Sequence, residues 1–134
     1  MADDLSLWKE WFKRAESNFV LGTAFSVDNL PKNLYLEDLC FELQQSAEKA
    51  VKTILLKYGI DFPKTHDIGE LLKFLKLKTT VEIPENIIPV TKLTKYAVKT
   101  RYPNWNKISQ DEYKEAVKLA QDMLNWVQSV TSED

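Results

Sequence analysis

Cysteine and histidine are nearly missing from this chain of 134 residues, which contains one of each, Cys40 and His66. A single thiol cannot form an internal disulfide. One cysteine and one histidine also fall short of the three or four such ligands that a typical zinc site uses. We therefore expect no disulfide framework, no metal centre and no bound cofactor, and a reducing, cytoplasmic setting fits the lone thiol.

Glycine and proline are scarce as well, with 3 and 5 residues. A β-rich chain of this length needs many more turn residues, so this scarcity favours helices. Apolar residues make up 44% of the chain, which is enough to build the core of one domain and argues against disorder. We expect a single domain over residues 1–134.

Long apolar runs are missing too. No stretch approaches the roughly 18 uninterrupted apolar residues that suggest a membrane span. The N-terminal segment is acidic and amphipathic, and it lacks the basic region and apolar run of a signal peptide. We therefore expect no contact with a membrane.

The hydrophobic period predicts an all-α fold, an up-and-down bundle of four to five antiparallel helices. The longest helix is expected at residues 33–58, with Gly59 as its terminator. Other helices are expected at about 4–22 and 68–78, from Pro84 or Pro89 to about residue 100, and after Ser109. Asp67 and Ser109 each precede a glutamate by three residues, which predicts two capping boxes.

The long helix is amphipathic, and one face is expected to lie in the core. Its second face could oppose Arg101 within the protomer, or line a groove with it across a dimer. That face carries Glu37, Asp38, Glu42, Gln45, Glu48, Lys49 and Lys52. Cys40 lies on the apolar face, where a buried small residue is the simplest interpretation. His66 precedes a helix start, where it is expected to cap or pack.

Charge is concentrated in residues 86–110, which we call the basic segment. It holds five Lys or Arg residues and no Asp or Glu, so its charge of +5 leaves −7 for the remainder. Its cations are Lys92, Lys95, Lys99, Arg101 and Lys107, and its aromatic residues are Tyr96, Tyr102 and Trp105. Cations that neutralise phosphates beside rings that stack on bases are typical of single-stranded nucleic-acid or nucleotide binding. The alternative is a solvated helix face with aromatic residues in the core.

Arg101 is the most informative cation of the basic segment. It precedes Tyr102 and Pro103, where a helix is expected to end. A guanidinium at such a point can bind a phosphate or carboxylate with two parallel hydrogen bonds. It could equally pair with Glu37 or Asp38 of the long helix. The candidate phosphate-binding residues are Arg101, Lys95, Lys99, Tyr102 and Trp105, with Glu37, Asp38 and Gln45 as a supporting polar face.

Three segments resemble the signatures of one family, in the same order along the chain. They are residues 37–50 (EDLCFELQQSAEKA), 62–68 (FPKTHDI) and 93–103 (LTKYAVKTRYP). Together with the opening residues 11–15, they resemble the HEPN domain, the "higher eukaryotes and prokaryotes nucleotide-binding" family. The resemblance covers nearly the whole chain.

This resemblance implies a helical bundle that usually forms a homodimer. It also implies a small protein encoded beside a minimal nucleotidyltransferase, a pair that can act as toxin and antitoxin. Many members are metal-independent ribonucleases, whose motif is an arginine followed, after four to six residues, by a histidine. Arg101 matches the arginine of that motif, but no histidine follows it anywhere in this chain.

We therefore expect a non-catalytic or weakly catalytic protein that binds a nucleotide or RNA, a nucleotidyltransferase partner, or both. One alternative is a metal-independent ribonuclease that uses Arg101 with a base other than histidine. A second alternative is a structural module whose function is dimerisation or partner binding.

Overall fold

The fold is known from a computed structural model, which describes the backbone of residues 2–97 and 108–132 and the side chains of residues 7–97 and 108–132. In chain order its helices are α1 (Ala2–Gly22), α2 (Leu36–Lys57), α3 (Ile68–Lys78), a 3-10 helix (Glu85–Tyr96) and α4 (Gln110–Ser132). The described residues contain no strand, which confirms the all-α prediction. Within them, no helix has the length and apolar character needed to cross a bilayer.

Helix α2 is shorter than expected at its start. Asn33 adopts a left-handed backbone with φ 73°, which a right-handed helix cannot include, so the helix begins at Leu36. At the other end Gly59 has φ 70°, as its place after the helix predicts. With 22 residues, α2 is one residue shorter than α4, so the expectation that it is the longest helix is wrong.

The helix expected to end near residue 100 is a 3-10 helix that ends at Tyr96. Pro89 lies inside it. Proline has no N–H to donate and its ring clashes with the carbonyl four residues earlier, so an α-helix cannot pass through this position undisturbed. The tighter 3-10 pattern is the result.

Both predicted helix caps are present, but only the one at Ser109 is a complete capping box, because the N–H of Asp67 donates to the Thr65 hydroxyl at 3.0 Å. The Asp67 carboxylate accepts the N–H of Glu70 at 3.2 Å. Ser109 and Glu112 form the full reciprocal box, in which each side chain accepts the other residue's N–H, at 3.1 and 3.2 Å. These short-range bonds fix where α3 and α4 begin.

The polar face of α2 is partly covered by α1. Ser46 donates to the carbonyl of Ala15 at 2.7 Å, and Asn18 bridges Glu42 and Lys49 at 2.8 Å each. Further along, Glu48 and Lys52 are buried, with 3% and 8% of their surfaces exposed. These two charged residues lie opposite the predicted core face, and they are buried because Trp11 of α1 and Phe62 and His66 of the loop before α3 contact them.

Gly22 lets α1 approach α2 closely. A Cβ atom at this position would lie 2.8 Å from Cγ and Cδ2 of Leu43, whose side chain is fully buried. The Tyr113 hydroxyl donates to the carbonyl of Gly22, so α4 is held at the same point. The absence of a side chain at Gly22 is therefore a packing requirement.

Gly22→Ala is expected to lower the free energy of unfolding by about 1–3 kcal/mol, because the new methyl group overpacks Leu43. Urea denaturation measures this change. The same substitution is also made in a Leu43→Ala variant, which lacks the clashing atoms. In that variant Gly22→Ala should lower the free energy of unfolding by a smaller amount. An equal cost in both backgrounds would contradict the packing role.

Candidate functional site

Of the five candidate phosphate-binding residues, only Lys95 lies within the described part of the chain. Lys99, Arg101, Tyr102 and Trp105 fall in residues 98–107, outside the described residues. Lys95 is exposed, and its ammonium lies 5.2 Å from the ring centroid of Tyr96. A cation placed against an aromatic ring fits the predicted surface, although this pair is formed by neighbours in sequence.

Lys92 is the other described cation of the basic segment. Its ammonium lies 3.3 Å from a carboxylate oxygen of Glu115 on α4. Both side chains are more than half exposed, so this ion pair contributes little to stability. It does offset one of the five positive charges of the segment.

Cys40 is buried against the end of the 3-10 helix, as its place on the apolar face of α2 predicts. Burial, with the nearby charges of Glu112 and Glu37, raises the pKa of the thiol to about 12. The thiol hydrogen-bonds to Tyr96, whose own pKa is raised by burial. Cys40 is thus a neutral packing residue at physiological pH and not a nucleophile.

The three residues predicted as a supporting polar face have contacts that stabilise the fold. Glu37 and Asp38 lie in the first turn of α2, where negative charge stabilises the helix. The Gln45 amide donates to the side-chain oxygen of Gln44 at 2.8 Å. Any pairing of Glu37 or Asp38 with Arg101 involves a residue outside the described part of the chain.

A row of side chains along α2 forms a polar cluster that the sequence interpretation missed. Gln44, Glu48 and Lys52 follow Cys40 at four-residue steps, so they lie one above another on the helix. One carboxylate oxygen of Glu48, Oε1, accepts from Gln44 at 3.0 Å and contacts Nδ1 of His66 at 3.0 Å. The other oxygen accepts from Lys52 at 2.7 Å.

Lys52 is enclosed by aromatic rings as well as by Glu48. Its ammonium lies 5.1 Å from the ring centroid of Phe62 and 5.9 Å from that of Trp11. These two rings pack edge to face with centroids 5.8 Å apart. Cation–π attraction and the carboxylate replace the water that the buried ammonium loses.

Glu48 is ionised at neutral pH. Burial alone would raise its pKa, but hydrogen bonds from Lys52, Gln44 and His66 and the charge of Lys52 outweigh burial and lower the pKa. An ionised carboxylate can only accept hydrogen bonds, so Nδ1 of His66 carries a proton and donates to it. In the neutral imidazole, Nε2 is then the unprotonated nitrogen.

His66 is neither a cap nor a packed core residue, contrary to expectation. Its side chain is 67% exposed, whereas the Glu48 side chain that holds it is 4% exposed. Gln44 also donates to the His66 carbonyl at 3.2 Å, which fixes the backbone below the ring. The four-residue spacing of Glu48 and Lys52 could have indicated that the two side chains pair along one side of α2. The single histidine, in the loop before α3, was then a candidate for a further partner.

The start of α3 also contacts the 3-10 helix. The N–H of Ile68 donates to the Thr94 hydroxyl at 3.0 Å. Because Lys95 follows Thr94 and His66 lies two residues before Ile68, the exposed imidazole and the described part of the basic segment lie on adjoining elements. Among the described residues, no group of three or more His, Cys, Asp and Glu side chains is placed to hold a metal ion.

Comparison with known proteins places these features in a family. The family model described as the HEPN domain matches residues 8–130. The chain belongs to the HEPN-domain family. A search of curated proteins finds no match to this HEPN chain.

Two solved structures are similar over almost their whole length. The protein TT1696 from Thermus thermophilus is 30% identical and superposes with a TM-score of 0.73, covering 91% of this chain and 96% of its own. The archaeal HEPN homologue ST0689 is 28% identical with a TM-score of 0.67, covering 91% and 95%. The family model and the archaeal HEPN homologue confirm that the sequence resemblance identified the family correctly.

Glu48→Gln is expected to lower the free energy of unfolding by about 3 kcal/mol at neutral pH, because it leaves the buried Lys52 charge unpaired. The folded-state pKa of Glu48 lies below its ordinary value of 4.5. The wild type is therefore more stable than Glu48→Gln by the full amount above about pH 4.5. This difference in stability is lost as the pH falls through the folded-state pKa of Glu48.

Urea denaturation of both proteins across this pH range measures the difference. Glu16→Gln is the matched control, since Glu16 is exposed in the interior of α1 and its substitution should change stability by no more than about 0.5 kcal/mol. A difference between the wild type and Glu48→Gln that stayed constant with pH would count against an ionised Glu48.

Proposed function

We propose that this HEPN protein binds a phosphorylated ligand, a nucleotide or single-stranded RNA, through its basic segment. The observation that carries the proposal is the charge of +5 without an acidic residue over residues 86–110, in a chain whose net charge is −2. Among the described residues, the exposed side chain of Lys95 supports this proposal.

Each residue type of the segment has a distinct role in this proposal. Lysines neutralise phosphates as point charges, and Arg101 adds a planar pair of donors that fits a phosphate. Tyr102 and Trp105 supply rings on which bases stack, at about 1–3 kcal/mol per base. Because Lys92 is offset by Glu115, about four cations are available and the binding is weak and salt-dependent.

Binding without cleavage follows from the missing histidine. General acid–base catalysis of RNA cleavage requires a group that takes or gives a proton at the reacting oxygens. No histidine follows Arg101, so the segment lacks the partner that the family's arginine–histidine motif supplies. A homodimer, a nucleotidyltransferase partner and a toxin–antitoxin role stay predictions that rest on the family resemblance.

Arg101→Ala is expected to weaken binding of labelled oligouridylate about tenfold or more, the effect of losing a charged hydrogen-bonding partner. The slope of log affinity against log salt should also fall by about 0.7, the contribution of one phosphate contact on a single strand. Fluorescence anisotropy at several salt concentrations measures both.

Lys13→Ala is the control for this experiment, because Lys13 is exposed on α1, far along the sequence from the basic segment. It should leave the affinity and the salt slope close to those of the wild type. An affinity that does not change between low and moderate salt would refute the proposed mode of binding.

In a cleavage assay with EDTA, the wild type is expected to leave oligouridylate intact. Gel electrophoresis after prolonged incubation shows whether the strand is shortened. Shortening by the wild type that disappears in Arg101→Ala would instead support the alternative of a metal-independent ribonuclease with another base.

A further inference from the structure

We propose that Glu48 and His66 form a carboxylate–imidazole pair that presents Nε2 of His66 as a fixed hydrogen-bond acceptor for a ribose 2′-hydroxyl. This inference rests on the proposed function and names a ligand class, RNA in preference to DNA. It also assigns a binding role to the only histidine of the chain, which lies outside the basic segment.

In this pair the carboxylate of Glu48 is buried and the imidazole of His66 is exposed. The Glu48 side chain is 4% exposed and that of His66 is 67% exposed, while Nδ1 and Oε1 are 3.0 Å apart. Gln44 donates both to the Glu48 carboxylate and to the His66 carbonyl, at 3.0 and 3.2 Å. The ring is therefore oriented before any ligand arrives, which reduces the entropy lost on binding.

The chemistry of Nε2 selects the ligand group. A neutral imidazole whose Nδ1 donates to Glu48 has only an acceptor at Nε2, so its partner must be a donor. Ionised phosphodiester oxygens only accept, and they are served by the lysines and Arg101. The 2′-hydroxyl can donate, it lies beside the phosphate in every ribonucleotide, and DNA lacks it.

The position of His66 suits a ligand that also contacts the basic segment. The hydrogen bond between Ile68 and Thr94 places the Cα atoms of His66 and Lys95 within about 18 Å of one another, given 3.8 Å between successive Cα atoms. A short oligonucleotide spans this distance, so one strand can contact both residues.

The test compares the binding of oligouridylate with that of oligodeoxyuridylate, which differ only at the 2′ position. The wild type is expected to prefer the ribose strand by about two- to tenfold, the effect of one hydrogen bond. His66→Ala and His66→Asn should both remove this preference and leave the affinity for the deoxyribose strand unchanged.

His66→Asn separates ligand binding from a structural role. Its side-chain amide nitrogen lies close to the place of Nδ1 and can still donate to Glu48, but the side chain has no counterpart of Nε2. Its urea midpoint should therefore match that of the wild type while the ribose preference is lost. Lys13→Ala should keep the preference.

The two proposals fail in different ways. If neither strand binds, the proposed function is wrong and this inference is wrong with it. If both strands bind with equal affinity, or if His66→Asn keeps the wild-type preference, only the assignment of His66 is overturned.

Discussion

The buried carboxylate of Glu48 is the constraint on which much of this structure depends. An isolated charge in the interior costs several kcal/mol, so the fold must bring partners to it. Lys52 and Gln44 come from the same helix, and His66 comes from the loop before α3. Within the described residues every buried side-chain nitrogen or oxygen has a hydrogen-bond partner, so this polar cluster is complete.

The burial of Glu48 also requires contacts from residues on other elements. Burying Glu48 requires Lys52, and burying Lys52 is made tolerable by the rings of Trp11 and Phe62. Through these contacts α1, α2 and the loop before α3 are fixed to one another. A rigid interior is also what allows an exposed side chain such as His66 to have one orientation, which a flexible surface histidine would lack.

Local chemistry made much of the fold predictable. Gly59, Asp67 and Ser109 mark helix ends because their effects extend over only a few residues. The burial of Glu48 was not predictable in the same way. Amphipathic analysis assigns a charged residue to the outside, and it contains no information about how many helices surround a given one.

The candidate site was predictable in part for the same reason. Its cations and aromatic residues are apparent from the sequence, and the proposed role of Arg101 comes from its place before Tyr102 and Pro103 and from the family resemblance. The pairing of His66 with Glu48 joins residues 18 positions apart on different elements, so it becomes visible only once the loop is placed against α2.

The proposed ligand-binding surface includes the contact between the start of α3 and the 3-10 helix, which carries the described part of the basic segment. Amide chemical shifts recorded while oligouridylate is added show which surface binds it. Changes concentrated at residues 64–68 and 92–110 are expected. Changes concentrated instead at the opposite end of α3, in the groove lined by Lys76, Val81 and Ile83, would contradict the proposed surface.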